Sequence, residues 1–164
     1  MAPEQNKDQM IRGIEKIIQY AFEDKNIIWE ALQAPGSGYR MSGTRHIDSK
    51  GNKRMAVVGD AWARVVILEE WFARTTNHPV RPLRIEKATE WQTKYMCNAN
   101  LVKVCEEKEI WRFINLNTST REIGARTKSD TMEAILAAVV QDGGMEHLKR
   151  VMNLLGLLPS HENV

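Results

Sequence analysis

The chain has little cysteine, no long apolar run and almost no excess of charge, and each shortage narrows what it can be. Two cysteines among 164 residues, Cys97 and Cys105, lie inside a helical pattern. They are too few for the disulfide scaffold of a small secreted domain and point to a reducing interior such as cytoplasm, nucleus or mitochondrion. No apolar stretch approaches the roughly 20 residues that a membrane-spanning helix needs. The opening MAPEQNKDQ also lacks the apolar core of a secretory leader, so an intracellular protein without a membrane partner is expected. A formal net charge of +2 permits a polyanion partner without predicting one, because a basic patch must be local to act. There is no internal repeat, no low-complexity tract and almost no period-two alternation, which leaves little room for a sheet. Catalytic arrangements are scarce as well. His78, His147 and His161 have no metal-ligand spacing, His46 stands alone, and no Gly-rich phosphate loop, Ser-His-Asp arrangement or zinc cluster is present.

What is present suits one all-α domain over residues 1–164, with 43% hydrophobic and 27% charged residues. A chain of this length buries roughly two-thirds of its unfolded surface in one core. Met10, Ile11, Ile14, Ile17, Ile18 and Ala21 follow a helical period, with Asn6 or Asp8 placed to cap it. Asp24 is placed to cap a second helix through Ile27, Ile28, Ala31 and Leu32, which Pro35-Gly36 stops. Residues 34–52 have no sustained period and read as a long surface loop. The run from Arg54 to Ala73 is apolar on nearly every face of its first four turns, which suits a helix at the centre of the domain. Further helices are expected through Leu83, Ile85, Ala88 and Trp91, and through Leu101, Val102 and Cys105 with Asn98 as cap. Residues 115–128 read as irregular, 130–141 as a helix ended by Asp142-Gly143-Gly144, and a last helix passes through Leu148, Val151, Met152 and Leu155. Trp62, Trp71 and Trp91 fall in apolar helical patterns and read as core and interface rather than as base-stacking platforms.

Chemistry is suggested by three carboxylates. Asp130 and Glu133 are three residues apart on one helix face and can address one ion. Asp60 lies in the most apolar helix of the chain, where an unpaired charge is costly and a cation removes that cost. Oxygen ligands of this kind suit Mg²⁺ or Mn²⁺. Spacing leaves a structural alternative open: Asp130 caps its helix, Glu133 favours the positive helix end, and Asp60 pairs with Arg64 one turn on.

The order of the motifs resembles the nuclease domain of the ribonuclease III family. Residues 52–61, NKRMAVVGDA, are similar to the family's signature, usually NERLEFLGDA, with the Arg, Gly, Asp and Ala in common. Some seventy residues on, Asp130-Thr131-Met132-Glu133-Ala134 and the Asp142-Gly143-Gly144 end resemble the second acidic motif. Phe22 to Leu32 and Cys97 to Leu101 resemble two further segments, so the resemblance spans roughly residues 10–155 in order. It implies an all-α endonuclease fold in which Asp60, Asp130 and Glu133 are catalytic and hold Mg²⁺ (or Mn²⁺) for hydrolysis of double-stranded RNA. The family's fourth ligand position is Ala56, its other signature glutamate is Lys53, and its phenylalanine at the dimer contact is Val57.

The resemblance further implies a homodimer through the signature helix, with Met55, Val57, Val58 and Trp62 at or near the shared surface. The loop residues Arg40, Arg45, Lys50, Lys53 and Arg54 form the nearest basic cluster for RNA phosphates. With few residues after Leu155, the chain resembles stand-alone members without a separate double-stranded-RNA-binding domain. Ala56 and Lys53 keep a second reading open, a catalytically silent dimer that binds RNA or protein. Nothing in the sequence names a substrate for a third, a pocket turned to small-molecule chemistry.

Overall fold

In the computed structural model, residues 3–38, 41–47, 49–76, 83–117 and 122–160 are described. The apolar periods of the sequence become α1 (Pro3–Ile18), α2 (Lys25–Ala31), α3 (Lys53–Thr76), α4 (Ile85–Met96), α5 (Asn98–Glu107), α6 (Ala125–Gly143) and α7 (Met145–Leu154). A turn of 3-10 helix covers Ile110–Phe113. The all-α class holds, with one addition: the long loop carries a hairpin, β1 (Met41–Ser42) pairing antiparallel with β2 (Arg45–His46). Two-residue strands are too short to leave an alternating pattern in the sequence.

The centre of the domain is α6 rather than α3. From Ser129 to Val139 every residue of α6 except Glu133 is buried, and α2, α3, α5 and α7 pack around it. Helix α3 lies against α6 with Ala56, Gly59, Ala63, Val66 and Ile67, a buried stripe at spacings of three and four. Its other face is uncovered: Val57 is 73% exposed, Trp62 40% and Phe72 63%, with Val58, Val65 and Leu68 between them. Apolar residues on both faces made α3 look central, but one face meets the core and the other meets solvent.

Several end signals are read differently by the structure. Asp24 caps α2 as expected, its carboxylate accepting from the Asn26 amide at 2.9 Å. Asn6 and Asp8 lie inside α1, and α5 begins at Asn98 with Cys97 as its N-cap. Helix α6 starts at Ala125, within the stretch read as irregular. Its C-terminus is fastened by Asp142, whose carboxylate accepts from the Tyr20 hydroxyl at 2.7 Å and from the amides of Glu23 at 2.9 Å and Asp24 at 3.0 Å. Burial works against this carboxylate, yet the Asp24 amide, the Tyr20 hydroxyl and the Glu23 amide together hold it below its ordinary range. Asp142 thus ties the α1–α2 turn to the far end of the central helix. No described helix is long and apolar enough to cross a membrane.

Candidate functional site

Two residues fix how α3 meets α6. Buried Asn52, just before α3, donates from Nδ2 to the Ala31 carbonyl at 2.8 Å and to Thr131 Oγ1 at 2.9 Å. Its amide donates to the Gln33 carbonyl at 2.8 Å, and its own carbonyl accepts from the Ala56 amide at 2.9 Å. The start of α3 is thereby pinned to the end of α2 and to α6 beside Asp130. Two turns on, Gly59 lets the helix backbones touch. A Cβ there would lie 2.7 Å from the Glu133 carbonyl carbon and 3.0 Å from the Ala137 amide nitrogen. Asp60, next to Gly59, is therefore held beside the Asp130–Glu133 pair.

Each aspartate already has a cationic partner on its own helix. Arg64 Nε reaches both carboxylate oxygens of Asp60, at 2.9 and 2.8 Å. Arg126 Nε stands 2.8 Å from Asp130 Oδ1, although the Arg126 side chain is largely exposed and that of Asp130 is buried. Glu133 feels the charges of both pairs. Burial first, then the charges of Asp60 and Asp130, push its carboxyl up to about 7, against the opposing pull of Arg126 and Arg64. Three carboxylates from two helices thus share one field and retain unrelieved repulsion at Glu133. Among the described residues, no three His, Cys, Asp or Glu side chains converge as a group that could hold a metal ion.

The structure decides between the two readings of these carboxylates in part. Asp130 does not cap α6, which begins five residues earlier, and Glu133 is well inside it. The Asp60–Arg64 pair of the structural alternative does form. Ala56 is buried on the α3 face that meets α6, one turn before Asp60. Lys50, Lys53 and Arg54 are exposed at the head of α3. Arg40 lies outside the described residues, as do His78 and His161, and Arg45 is described only as backbone in β2. Of the four residues expected at a shared surface, Val57, Val58 and Trp62 are exposed, whereas Met55 is 4% exposed and belongs to the core of the chain itself. Val65, Leu68 and Phe72 extend the exposed stripe and were missed because a one-chain reading cannot tell an inward from an outward apolar face. Arg126 was missed because it pairs with Asp130 only if the helix starts before it.

Comparison with known proteins agrees with the motif order. Residues 53–144 match the family model of the Ribonuclease III domain. Among curated relatives, a Ribonuclease 3 from Caldanaerobacter subterraneus is 27% identical over 147 residues, which are 87% of this chain and 60% of that protein. Another, from Ehrlichia chaffeensis, is 29% identical over 139 residues, 82% of this chain and 57% of that protein. The chain thus spans about three-fifths of the length of the curated relatives it matches. A solved nuclease domain of ribonuclease III from Campylobacter jejuni, in work on flexibility of a region involved in its dimer formation, superposes with a TM-score of 0.70. It is 22% identical, and the match covers 88% of this chain and 94% of that one.

Proposed function

Because the chain belongs to the ribonuclease III domain family, we propose that it is a metal-dependent endoribonuclease domain that hydrolyses phosphodiester bonds of double-stranded RNA. The observation that carries this reading is the shared field of Asp60, Asp130 and Glu133 across the α3–α6 crossing, with Glu133 pushed up to about 7. Carboxylate oxygens from two helices are the donor chemistry of Mg²⁺ or Mn²⁺, and a cation would relieve the repulsion left at Glu133. The oxygen donors are of the kind such an ion takes, but Asp60 and Asp130 are bonded to Arg64 and Arg126, no three ligands among the described residues converge, and Ala56 supplies none. When bound, the metal supplies an activated water and stabilises charge on the leaving oxygen. Asp60 and Asp130 would hold it, and Glu133 would complete the acidic cluster. Lys50, Lys53 and Arg54, exposed at the head of the same α3, suit phosphate contacts that follow duplex shape rather than base sequence.

The second reading, a catalytically silent module, is favoured by the occupied aspartates together with Ala56 and Lys53. One assay separates the two: a labelled RNA duplex incubated with the protein across Mg²⁺ and Mn²⁺ concentrations. Metal-dependent cuts support the nuclease, and intact duplex at all concentrations supports the silent domain.

A twofold dimer accounts for the uncovered α3 stripe, which runs from Val57 to Phe72 for roughly 22 Å of helix. An exposed apolar band of that length is unusual on a monomer. Beside it a groove of about 430 Å³, lined in part by Arg54, Met55 and Val58, leaves room for a partner's side chain. Sedimentation at tens of micromolar is expected to give a dimer, on the order of ordinary working concentrations. Trp62→Asp combined with Phe72→Asp should weaken association by roughly a hundredfold or more, the scale of losing buried aromatic anchors. A monomeric parent would remove the dimer from this reading.

Ala56→Glu restores a carboxylate one turn before Asp60, where it can extend along α3 to the same cluster. It is expected to tighten Mg²⁺ binding by roughly tenfold, the lower scale for a change that supports a metal site. Because Ala56 is buried, the new charge can instead be trapped or drawn to Lys53, so Lys53→Glu with Ala56→Glu is the companion variant. Calorimetry and duplex cleavage read the outcome. If neither variant binds Mg²⁺ more tightly than the parent, the three remaining carboxylates are not a family-like site.

A further inference from the structure

Nuclease chemistry leaves a cleft beside α7 unused. About 540 Å³ of space lies between α7 and the turn that follows α1, a size that holds a small organic ligand. His147, Arg150 and Asn153 recur every three residues along α7, so one helix face presents all three to the cleft. Among the described residues no hydrogen bond or ion pair engages the Arg150 side chain, and no carboxylate lines the cleft. Asp142 is bonded to Tyr20 of its wall, but the Asp142 oxygens are taken by that hydroxyl and by two backbone amides.

The walls are fixed before any ligand arrives. The ring of Tyr20, anchored through its hydroxyl, meets that of His147 edge-on at 5.2 Å. His147 Nδ1 is 2.8 Å from the Gly143 carbonyl, which can only accept, so Nδ1 carries the proton and Nε2 is left for a ligand. Gln19 follows α1 with a φ of 51°, a left-handed position that glycine or asparagine usually fills. Backbone strain of this kind in a non-glycine residue collects at ligand sites. A second cavity of about 290 Å³ shares Arg150 and Asn153, but Glu70 and Glu146 line it. Glu70 already takes Arg74 at 2.7 Å and Lys149 at 2.8 Å. An anion held by Arg150 is therefore directed to the larger cleft.

We propose that the cleft between α7 and the α1–α2 turn binds a nucleoside monophosphate unit, with Arg150 on the phosphate and the base against Ile18, Ala21 and Leu154. A guanidinium forks onto phosphate oxygens. The apolar side chains give a flat ring a dry floor that a bare phosphate does not use. The Gln19 and Asn153 amides both donate and accept, as the edges of bases do. The unit is supplied either as a free nucleotide or as the phosphorylated end of an RNA strand. None of the lining residues belongs to the α3–α6 crossing, so binding here stands whether or not the chain cuts RNA.

The test is calorimetry of the full chain in EDTA with adenosine monophosphate, adenosine and inorganic phosphate. The nucleotide should bind at least roughly tenfold more tightly than either part, since only it engages both the guanidinium and the apolar floor. Arg150→Gln should weaken it roughly tenfold or more, the scale of a charge-assisted hydrogen bond. Ala21→Trp, at an exposed position of the wall, should fill the cleft and abolish binding while melting as the parent does. Gln19→Gly should melt later and bind more weakly, because it removes strain and an amide together. Competition identifies the source of the unit. Displacement of the nucleotide by a short single-stranded RNA with a terminal phosphate, and not by the same strand with a terminal hydroxyl, assigns the cleft to an RNA end. Displacement by neither assigns it to a free nucleotide. No nucleotide binding at millimolar concentration, nucleotide bound no better than phosphate, or equal affinity in the parent and all three variants would each overturn the proposal.

Discussion

Glu133→Gln is expected to reduce duplex cleavage at least roughly 100- to 1,000-fold, the scale for losing one group that stabilises developing charge, while the protein melts no earlier than the parent. The two effects have one origin. Burial, Asp60 and Asp130 all disfavour the ionised glutamate, and its carboxyl stands at about 7 instead of 4.5. A folded pKa above the unfolded one means that stability present below about pH 4.5 is lost as pH rises through about 7. Glutamine has the same shape and no such charge, so in metal-free protein its advantage should grow between those limits and stay constant above them. Thermal melts of parent and variant from pH 4 to 8 check this, with single-turnover cleavage at saturating Mg²⁺ beside them. A variant that cuts like the parent would place the chemistry elsewhere. Asp130→Asn should also lose cleavage but at some cost in stability, because it dissolves a pair that compensates a buried side chain. Sites assembled for function commonly trade stability in this way.

The three carboxylates were legible in the sequence because two short motifs place them in order, and at the crossing of α3 with α6 Glu133 feels the charges of both aspartates, although no three ligands among the described residues converge on one point. The partners of those carboxylates were less legible. Arg64 could be paired with Asp60 from spacing alone, whereas Arg126 could be assigned to Asp130 only once α6 was known to begin at Ala125. That start has no polar side-chain cap to announce it: Gly124 is the N-cap and makes no side-chain bond. The central helix was misjudged for a related reason. Alanine-rich α6, with Ala134, Ala137 and Ala138 fully buried, has lower apolar mass than α3, yet small residues let neighbours approach it on every side. The valines, Trp62 and Phe72 of α3 carried the stronger apolar signal and lie partly in solvent. Apolar content reports what must be covered somewhere, by the same chain or by another, and only packing tells which.

Gly59→Ala should destabilise the protein by about 3 kcal/mol or more, at or above the top of the ordinary range for overpacking. The added Cβ would fall within van der Waals reach of the Glu133 carbonyl group, 2.7 Å from its carbon, and 3.0 Å from the Ala137 nitrogen. All of these are backbone atoms of α6, which cannot rotate away, so α3 itself must move. Gly13 is the instructive control. A Cβ there would lie 2.6 Å from Phe113 Cζ, but a ring can turn, and alanine gains about 1 kcal/mol of helix propensity over glycine. Gly13→Ala should therefore stay within about 1 kcal/mol of the parent once Phe113 has turned. Urea unfolding of both variants decides the comparison, and a parent-like midpoint for Gly59→Ala would mean that the helices do not touch at this crossing. The same substitution bears on chemistry, since Asp60 follows Gly59 directly and any retreat of α3 carries it away from Glu133. Whatever Gly59→Ala protein folds should bind Mg²⁺ more weakly than the parent, and the loss of metal should scale with the separation of the two helices rather than with any change in the carboxylates themselves.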